Sequence, residues 1–316
     1  MKDVCVIGGN RYFGLHLIEL LRDSGADVTV VNRGSAAPPA GVTHLVADRG
    51  DEEGLAAAVA GRTFDVVIDQ VCYTPHQAAI ARRVFGGRTS RYVMTSTIEV
   101  YDPATSASIT PAVPGVPVTE ESVDPASWPV QADLPWDDPE RMAGVLDEPT
   151  CYAEGKRQAE AVLARDSPFA FATVRSAHVL GIAARDFTGR LEHYVEHILA
   201  GRPVTVHREP FPTSFTHDRE IADVLFWAAG AEFTGAVNAS SHGELGVSGL
   251  CDLIAAACGR RPDYRPADGG QASPFSFDRY YAMDNGRAER LGFDFATTAH
   301  WLPEAVAAAV GPRKDT

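Results

Sequence analysis

The chain has 316 residues, of which 45% are hydrophobic and 22% charged, and its formal net charge is −14. A chain of this length and composition can bury a sizeable core, which excludes global disorder, a fibrous repeat and a small domain that needs cross-links. The negative charge argues against a general affinity for nucleic acid or anionic membranes, because both require a basic surface.

The cysteines and the first residues indicate the compartment. Five cysteines lie far apart and form no C-x-x-C pair, which favours reduced thiols inside a cell. The chain passes from Met1 directly into a strand-like segment, and no stretch approaches the ~20 apolar residues of a membrane span. We therefore expect a cytoplasmic protein without a signal peptide.

Short β-branched segments alternate with helical patterns through the first hundred residues. Helices are predicted at residues 13–21, 52–60 and 75–85, and buried parallel strands at 4–7, 28–31, 43–47, 64–69 and 92–95. This β-α-β order predicts an α/β protein with a Rossmann-type, doubly wound parallel sheet. Such sheets bind their ligands at the carboxyl ends of the strands.

The alternation stops between residues 102 and 150. This segment holds nine prolines and ten acidic residues but a single basic residue, Arg141, and it shows no clear periodicity. A long loop is predicted here, and the sequence leaves open whether it is a substrate lid or a solvated acidic insert. Helices follow at 152–164 and 191–199, with a strand at 171–175 between them.

Two domains are predicted from this order of elements. Residues 1–180 and about 213–243 form the Rossmann domain, which carries the acidic insert at 102–150. Residues 181–212 and 244–316 form a smaller C-terminal substrate-binding region.

A glycine-rich turn, G-G-N-R-Y-F-G at residues 8–14, lies between the first strand and the first helix. Gly8 can form the tight turn, and Gly14 lets the helix approach the strand closely. The helix N-terminus then offers free N–H groups and a positive dipole to a pyrophosphate. The turn therefore predicts a dinucleotide site.

The end of the second strand bears on which dinucleotide binds. A carboxylate there would accept a hydrogen bond from the ribose 2′-hydroxyl of NAD, but Asn32 and Arg33 occupy this place. Arg33 and Arg11 can instead pair with a 2′-phosphate, which favours NADP over NAD, unless both face solvent or contact the pyrophosphate. Asp48 closes the third strand and is predicted to accept a hydrogen bond from the adenine amino group.

Tyr152 and Lys156 are four residues apart at the start of a predicted helix, which places the phenol and the ammonium on one face. A nearby cation lowers the pKa of a tyrosine from ~10, so that Tyr152 can exchange a proton with a substrate hydroxyl while hydride moves. Lys156 can also hold the nicotinamide ribose.

Hydroxyl groups follow the fifth strand in the segment S-T-I-E-V-Y, residues 96–101. A hydroxyl at this sheet edge can bind the substrate oxygen between itself and Tyr152. The alternative interpretation is that Ser96 and Thr97 only cap the end of the strand.

Taken jointly, the glycine turn, the Thr-x-x-Val-Tyr segment and the Y-x-x-x-K pair resemble the extended short-chain dehydrogenases, the group of NAD-dependent epimerases and dehydratases. Further segments that match this group lie at residues 174–181, 215–222, 235–238 and 287–292. The resemblance implies that Thr97 binds the substrate, that Tyr152 is the catalytic base and that Lys156 binds the ribose.

A cofactor site is also implied. It comprises Gly8, Asn10, Arg11, Tyr12, Phe13, Gly14, Asn32, Arg33, Asp48, Gln70, Thr95, Tyr152, Lys156, Ser176 and His178. The resemblance places the segment that ends at His178 beside the nicotinamide and the substrate. A purely structural histidine is equally open at this position.

Two departures from the family pattern limit what is implied about the substrate. Arg11 stands in the place of the middle glycine, as in an atypical branch whose members range from reductases to proteins of uncertain catalysis. Sugar-nucleotide 4,6-dehydratases carry an Asp-Glu pair after the threonine, whereas here only Glu99 is present. Glu99 is thus a candidate acid or base, although a dehydratase of that type is not favoured.

His193 and His197 match the H-x-x-E-H pattern of zinc proteases. A third ligand is not evident from the sequence, and exposed histidines explain the pattern equally well. No metal site is predicted.

Three functions are consistent with these features. The first is an NAD(P)-dependent oxidoreductase that transfers hydride between nicotinamide C4 and a secondary alcohol or ketone, with NADP preferred to NAD. The second is a sugar-nucleotide epimerase or dehydratase that retains its NAD(P)+, and the third is a non-catalytic dinucleotide sensor or scaffold. The predicted partner is a small molecule, either a sugar nucleotide or a secondary-metabolite ketone, and a homodimer is left open.

Overall fold

The structure is a computed structural model, and it describes residues 1–181, 186 and 188–311. In chain order its helices and strands are β1 (Asp3–Ile7), α1 (Phe13–Asp23), β2 (Asp27–Asn32), β3 (Thr43–Val46), α2 (Glu52–Ala58), β4 (Phe64–Asp69), α3 (Pro75–Phe85), β5 (Thr89–Thr97), α4 (Pro139–Ala143), α5 (Glu148–Ala164), β6 (Ala170–Ser176), β7 (His178–Leu180), α6 (Arg190–Ala200), β8 (Pro203–Val206), β9 (Phe215–His217), α7 (Asp218–Gly230), β10 (Gly235–Ala239), α8 (Val247–Cys258), β11 (Asp263–Pro266), α9 (Gly286–Arg290) and α10 (Thr298–Val310).

The chain divides into two compact units. Unit 1 comprises Met1–Thr110, Glu120–Ser176 and Ile221–Asn238, and unit 2 comprises Pro111–Thr119, Ala177–Glu220 and Ala239–Thr316. The second segment of unit 1 ends at Ser176, whereas the predicted boundary was residue 180, and the last segment covers residues 221–238 where about 213–243 was predicted. Residues 111–119 of the acidic insert belong to unit 2. Residues 182–185 and 187 of the predicted substrate-binding region lie outside the described residues.

Unit 1 is built on a seven-stranded sheet with the order β10-β6-β5-β4-β1-β2-β3. Strand β1 pairs in parallel with β2 and β4, and the parallel pairing continues to β3 on one side and through β5 to β6 on the other. The winding direction reverses between β1 and β4, and α/β proteins bind ligands in the crevice at such a reversal. The predicted α/β class and doubly wound parallel sheet are confirmed.

The central strands are buried because helices cover the faces of a parallel sheet. Val4–Ile7 of β1 is fully buried, as is most of β4 and β5. The prediction of a buried third strand is wrong. Strand β3 lies at the edge of the sheet with a single neighbour, so its residues are exposed or half-buried.

Helix α5 begins four residues before its predicted start. The Asp147 carboxylate caps it by accepting a hydrogen bond from the backbone N–H of Thr150 at 2.8 Å. Pro149 fits the first turn because its missing N–H has no partner there in any helix. Tyr152 therefore lies in the second turn, where the backbone is fixed.

The acidic insert contains 3-10 turns and the short helix α4, and buried arginines of α5 and β6 donate hydrogen bonds to its backbone. Arg175 is fully buried and donates hydrogen bonds to the carbonyl oxygens of Glu120 at 3.1 Å and Val123 at 2.8 Å. Its other contacts are the Glu160 carboxylate at 2.6 Å and the Tyr101 hydroxyl at 2.8 Å.

Arg157 and Gln158 extend this group. The Arg157 guanidinium donates to the carbonyl oxygens of Val100 at 2.7 Å and Asp102 at 3.2 Å, while the Gln158 side chain exchanges hydrogen bonds with Gln131. We call Tyr101, Arg157, Gln158, Glu160 and Arg175 the arginine anchor. Residues 120–131 of the insert are thus tied to α5 and β6.

Unit 2 has its own apolar core, in which side chains of α6, α8 and α10 pack together with β8 and β9. Two small parallel sheets, β11-β8 and β7-β9, accompany these helices. Among the described residues, no helix has both the length and the apolar character needed to cross a membrane.

Candidate active site

The glycine turn connects β1 to α1 in a conformation that only glycine adopts without strain. Gly8 and Gly9 both have φ of +83°. A Cβ at Gly8 would overlap the Val71 side chain, and a Cβ at Gly14 would overlap the backbone of Gly9. The turn therefore passes close to α1 and to the end of β4. Gly8 and Gly14 were predicted from the sequence, whereas the equal requirement at Gly9 was missed.

The other residues of the turn differ in exposure. Arg11 is exposed, whereas Tyr12 is buried and holds φ of +53°, which costs energy in a non-glycine residue. Phe13 starts α1, with its ring centroid 5.8 Å from that of Tyr12. Arg33 is exposed after β2, and the exposed Asp48 accepts a hydrogen bond from Gly50 N–H at 2.8 Å.

Buried polar atoms without a hydrogen bond collect at the carboxyl ends of the strands. In the described part of the chain, these atoms are Asn10 Oδ1, Asn32 Nδ2, Arg49 Nε and Nη1, Gln70 Nε2, Thr95 Oγ1 and Ser96 Oγ. We call these six residues the strand-end group. Buried polar atoms are normally paired in proteins, so a cluster of unpaired ones points to a ligand.

Two members of the strand-end group are fixed by their remaining atoms. Asn10 donates through Nδ2 to the carbonyl oxygen of Ala36 at 2.6 Å. Asn32 accepts through Oδ1 from Gly34 N–H at 2.7 Å and lies 3.1 Å from His44 Nε2. Each amide is thus held in place while its other polar atom is left over.

Thr97 and Ser176 end two neighbouring strands, β5 and β6, and they are directly opposite each other in the register. Thr97 is buried, and its hydroxyl accepts a hydrogen bond from Glu99 N–H at 3.3 Å. Glu99 is half-buried in the short 3-10 turn that follows. This hydrogen bond caps the 3-10 turn and leaves the hydroxyl proton available to a second acceptor, while the predicted contact of Thr97 with a substrate stays a prediction.

Tyr152 and Lys156 project from consecutive turns of α5 but differ in burial. Tyr152 is 39% exposed, whereas Lys156 is 2% exposed and donates through Nζ to the carbonyl oxygen of Thr95 at 2.8 Å. Burial lowers the pKa of Lys156 to about 8, although Cys72, Asp69 and Glu160 favour its charged form, and Arg49 adds to the lowering. A buried cation beside an accessible phenol can promote proton transfer.

A buried ion pair lies near this lysine and was missed in the sequence. The Asp69 carboxylate at the end of β4 pairs with Arg49 and accepts hydrogen bonds from the Tyr92 hydroxyl at 2.6 Å and from Val71 N–H at 3.0 Å. Burial raises the pKa of Tyr92 well above its usual value. An arginine in a loop gives no periodic signal, so only the fold could bring Arg49 to Asp69.

His178 belongs to unit 2, where aromatic rings surround it. The Phe277 ring stacks on it at 5.3 Å between centroids, and Phe275 lies at 5.4 Å. Burial holds the pKa of His178 well below its ordinary value, and Arg190 and Arg279 add to this effect, so the ring is neutral. Its predicted contact with the cofactor stays a prediction.

The two histidines of the H-x-x-E-H pattern each have another contact. His193 Nε2 lies 2.9 Å from the Ser273 hydroxyl, and His197 Nδ1 lies 2.6 Å from the carbonyl oxygen of Pro203. Over residues 1–181, 186 and 188–311, no group of three or more histidine, cysteine or acidic side chains is arranged to hold a metal ion.

No protein-family model matches the chain. The 2′-dehydrokanamycin reductase of Streptomyces kanamyceticus is 30% identical over 123 residues, which cover 38% of this chain and 35% of that enzyme. The match therefore spans about a third of this relative's length.

Solved structures are similar over nearly the whole chain. UDP-glucose 4-epimerase of Thermotoga maritima, solved with UDP-glucose, has a TM-score of 0.73 and 16% identity over 98% of this chain and 97% of its own. The enzyme WbmH of Bordetella bronchiseptica, solved with NAD+, has a TM-score of 0.70 and 19% identity over the same shares, 98% and 97%. The chain has the fold of these two enzymes. The resemblance to extended short-chain dehydrogenases is thus confirmed at the level of the fold.

Proposed function

We propose that the chain is an NAD(P)-dependent oxidoreductase of the short-chain dehydrogenase type, which interconverts a secondary alcohol and a ketone of a small molecule. One observation carries the proposal. The sheet edge that holds the glycine turn and the strand-end group also receives an exposed tyrosine, Tyr152, one helical turn from a buried lysine, Lys156. A phosphate-binding turn and an acid/base pair at one edge are what such a reaction requires.

The residues at this edge fit a dinucleotide. The turn at Gly8, Gly9 and Gly14 leaves no room for side chains, and no side chain caps the N-terminus of α1, which suits a pyrophosphate. Asn10, Asn32 and Gln70 offer unpaired amide atoms to the ribose and base. When bound, the nicotinamide ring supplies or accepts the hydride.

Three residues of the chain act directly in the proposed reaction. Tyr152 exchanges a proton with the substrate oxygen through its phenol. Lys156, one turn further along α5, supplies a positive charge on the same face of the helix, and its ammonium would donate a hydrogen bond to the ribose. Thr97 donates its hydroxyl proton to the substrate oxygen and so holds the oxygen beside Tyr152.

NADP is the cofactor that we propose. No carboxylate stands at the end of β2 to receive a 2′-hydroxyl, and Asn32 Oδ1 is already bound to Gly34 N–H at 2.7 Å. Arg11 and Arg33 are both exposed, so burial does not withhold their guanidinium groups from a 2′-phosphate. WbmH was solved with NAD+ and the UDP-glucose 4-epimerase of Thermus thermophilus with NAD. The preference of this chain for NADP over NAD is therefore tested by direct binding.

Titration with NADPH and NADH separates these possibilities. For the wild type we expect tighter binding of NADPH, and for Arg33→Ala we expect NADPH binding to weaken about tenfold, since a charge-assisted contact contributes about 1.5 kcal/mol. NADH binding should change less than twofold. Equal weakening of both cofactors by Arg33→Ala would contradict the preference for NADP.

The reaction that we propose is net reduction of a ketone, and the second candidate is epimerisation of a sugar nucleotide. A reductase is 30% identical over 123 residues, whereas a solved UDP-glucose 4-epimerase shares the fold at 16% identity. Glu99, half-buried next to Thr97, is the acid or base that the second route could use. A non-catalytic dinucleotide sensor would not require Thr97, Tyr152 and Lys156 together.

Mass spectrometry of the gently purified protein, followed by an NADPH-consumption screen, tests the choice. An empty protein that oxidises NADPH with free or nucleotide-linked keto sugars supports the reductase. Tightly retained NAD(P)+ with no net consumption supports the epimerase. Turnover by Tyr152→Phe at the wild-type rate would contradict both.

A further inference from the structure

The loop after β4 carries Tyr73, whose backbone is fixed against the helix of the proposed acid/base pair. A Cβ at position 155 would overlap the Tyr73 carbonyl oxygen, so the glycine of Y-A-E-G-K lets this loop touch α5 between Tyr152 and Lys156. On its other side, Tyr73 N–H donates to the Gln77 side chain at 2.8 Å. Both neighbours of the loop therefore set the position of Tyr73.

The Tyr73 ring contacts both members of the pair. Its centroid lies 4.4 Å from Lys156 Nζ, which places the ammonium over the ring, and 6.2 Å from the Tyr152 centroid with the planes inclined at 42°. Lys156 Nζ also donates to the Thr95 carbonyl oxygen at 2.8 Å. The Tyr73 ring and the Thr95 carbonyl oxygen together fix the direction in which the Lys156 ammonium points.

We propose that Tyr73 is a positioning residue that aims the Lys156 ammonium through its ring face and packs against Tyr152, an assignment that rests on the proposed function. Tyr73 takes no proton and forms no bond in the reaction. Its ring acts on the charged lysine, and its phenol oxygen is not required.

The physical basis is the attraction between a cation and an aromatic face. This attraction is stronger where the ammonium is withdrawn from water, and Lys156 is 2% exposed. Burial opposes the charged form of Lys156 and lowers its pKa to about 8. Its acidic neighbour Asp69 is already paired with Arg49, so the ring supplies a separate stabilisation of the charge.

The other titratable groups around Lys156 come from each element packed on it. Asp69 ends β4 and Cys72 lies in the loop that follows, while Arg49 lies in the loop before α2 and Glu160 one turn further along α5. None of them is changed by a substitution at position 73. A variant at this position therefore reports on the ring alone.

Matched variants separate the ring from the hydroxyl. Tyr73→Phe keeps the ring and removes the oxygen, whereas Tyr73→Leu and Tyr73→Met remove the ring and keep an apolar side chain. Because Tyr73 is 42% exposed, these variants are expected to fold, and far-UV circular dichroism checks this. If Tyr73→Leu is unstable, Tyr73→Met replaces it in the measurements.

Lysine NMR provides a test that needs no cofactor. The sequence contains only three lysines, Lys2, Lys156 and Lys314, so a Lys2→Arg, Lys314→Arg background leaves Lys156 as the sole lysine signal. With lysine labelled at 13Cε, we expect the midpoint of the Lys156 titration to fall by about one pH unit in Tyr73→Leu and to stay unchanged in Tyr73→Phe. An unchanged midpoint in both Tyr73→Leu and Tyr73→Met would overturn the proposal.

Binding of NADPH and of 2′,5′-ADP gives the second readout. The fragment lacks the nicotinamide ribose that Lys156 is proposed to hold. We expect Tyr73→Leu to weaken NADPH binding about fivefold, to leave 2′,5′-ADP binding within twofold, and Tyr73→Phe to match the wild type on both. Equal weakening of both ligands, or of neither, would overturn the positioning role.

The two readouts also separate this proposal from the proposed function. If the wild type binds neither NADPH nor 2′,5′-ADP while the lysine midpoint follows the ring, the contact between Tyr73 and Lys156 is established and the proposed function fails. If the wild type binds NADPH and no variant changes binding or midpoint, the role of Tyr73 fails and the proposed function stands.

Discussion

The arginine anchor and the strand-end group are both buried polar clusters in unit 1, but they differ in how fully they are bonded. In the anchor, every nitrogen of Arg157 and Arg175 donates to an oxygen of the chain. In the strand-end group, Arg49 uses Nη2 for Asp69 but, within the described residues, leaves Nε and Nη1 unbonded. The same side chain type therefore serves two purposes.

Complete bonding distinguishes a structural polar cluster from a binding site. A buried polar atom without a partner costs about 1–3 kcal/mol, so a chain keeps few of them unless something else completes their bonds. The anchor is complete and holds the acidic insert. The strand-end group keeps polar atoms without a hydrogen bond, and these atoms lie at the same sheet edge as the glycine turn.

Two tyrosine substitutions give the largest expected contrast. Tyr152→Phe should reduce turnover about 10²- to 10⁴-fold with the keto sugar that the wild type reduces, because it removes the acid/base group. Tyr101→Phe, in the anchor, should leave turnover near the wild-type value. It should lower the free energy of unfolding by about 1–3 kcal/mol, since the Tyr101 hydroxyl donates to Asn238 at 2.8 Å and accepts from Arg175. Steady-state kinetics measures turnover of the two variants, and urea unfolding measures their stability. A loss of turnover in Tyr101→Phe but not in Tyr152→Phe would contradict the assignment of Tyr152 as the acid/base group.

A pH-dependent stability is expected from Lys156. Its pKa in the folded chain is about 8 against an ordinary value of 10.5, so between these values the unfolded chain keeps a proton that the folded chain has lost. The free energy of unfolding should therefore rise with pH through this window, by about 3 kcal/mol in total, relative to Lys156→Met. Below pH 8 the two curves should run parallel. Urea unfolding from pH 7 to pH 10.5 measures this, and a difference that falls with pH has the wrong sign for a buried lysine.

A pair of glutamines gives the smallest contrast. Gln70→Leu removes an unpaired buried amide nitrogen, so the protein without ligand should be unchanged or up to about 1 kcal/mol more stable, while NADPH binding weakens several-fold. Gln158→Leu breaks the hydrogen bonds to Gln131 at 2.7 Å and 3.0 Å and should destabilise the protein by about 1–3 kcal/mol. Thermal unfolding with and without NADPH compares them. Similar losses of stability in both variants would remove the distinction between the two groups.

The sequence predicted local features well and long-range ones poorly. The strands up to residue 97 and the glycine turn could be found because their signals lie within a few neighbouring residues. The partners of Arg175 lie 15 to 74 residues away along the chain, so neither the anchor nor the course of the insert could be foreseen. Tyr73 lies in a loop with no periodic pattern, and only the approach of that loop to Gly155 reveals it.

Direct titration of the protein with NADPH, followed by competition with 2′,5′-ADP, tests the central claim that this sheet edge is a nicotinamide-dinucleotide site. We expect saturable binding to the wild type that 2′,5′-ADP displaces. We also expect no measurable binding to a folded Gly14→Val variant, in which the new side chain would overlap Gly9. Undiminished NADPH binding to Gly14→Val, or a wild type that binds neither NADPH nor NADH, would contradict the account.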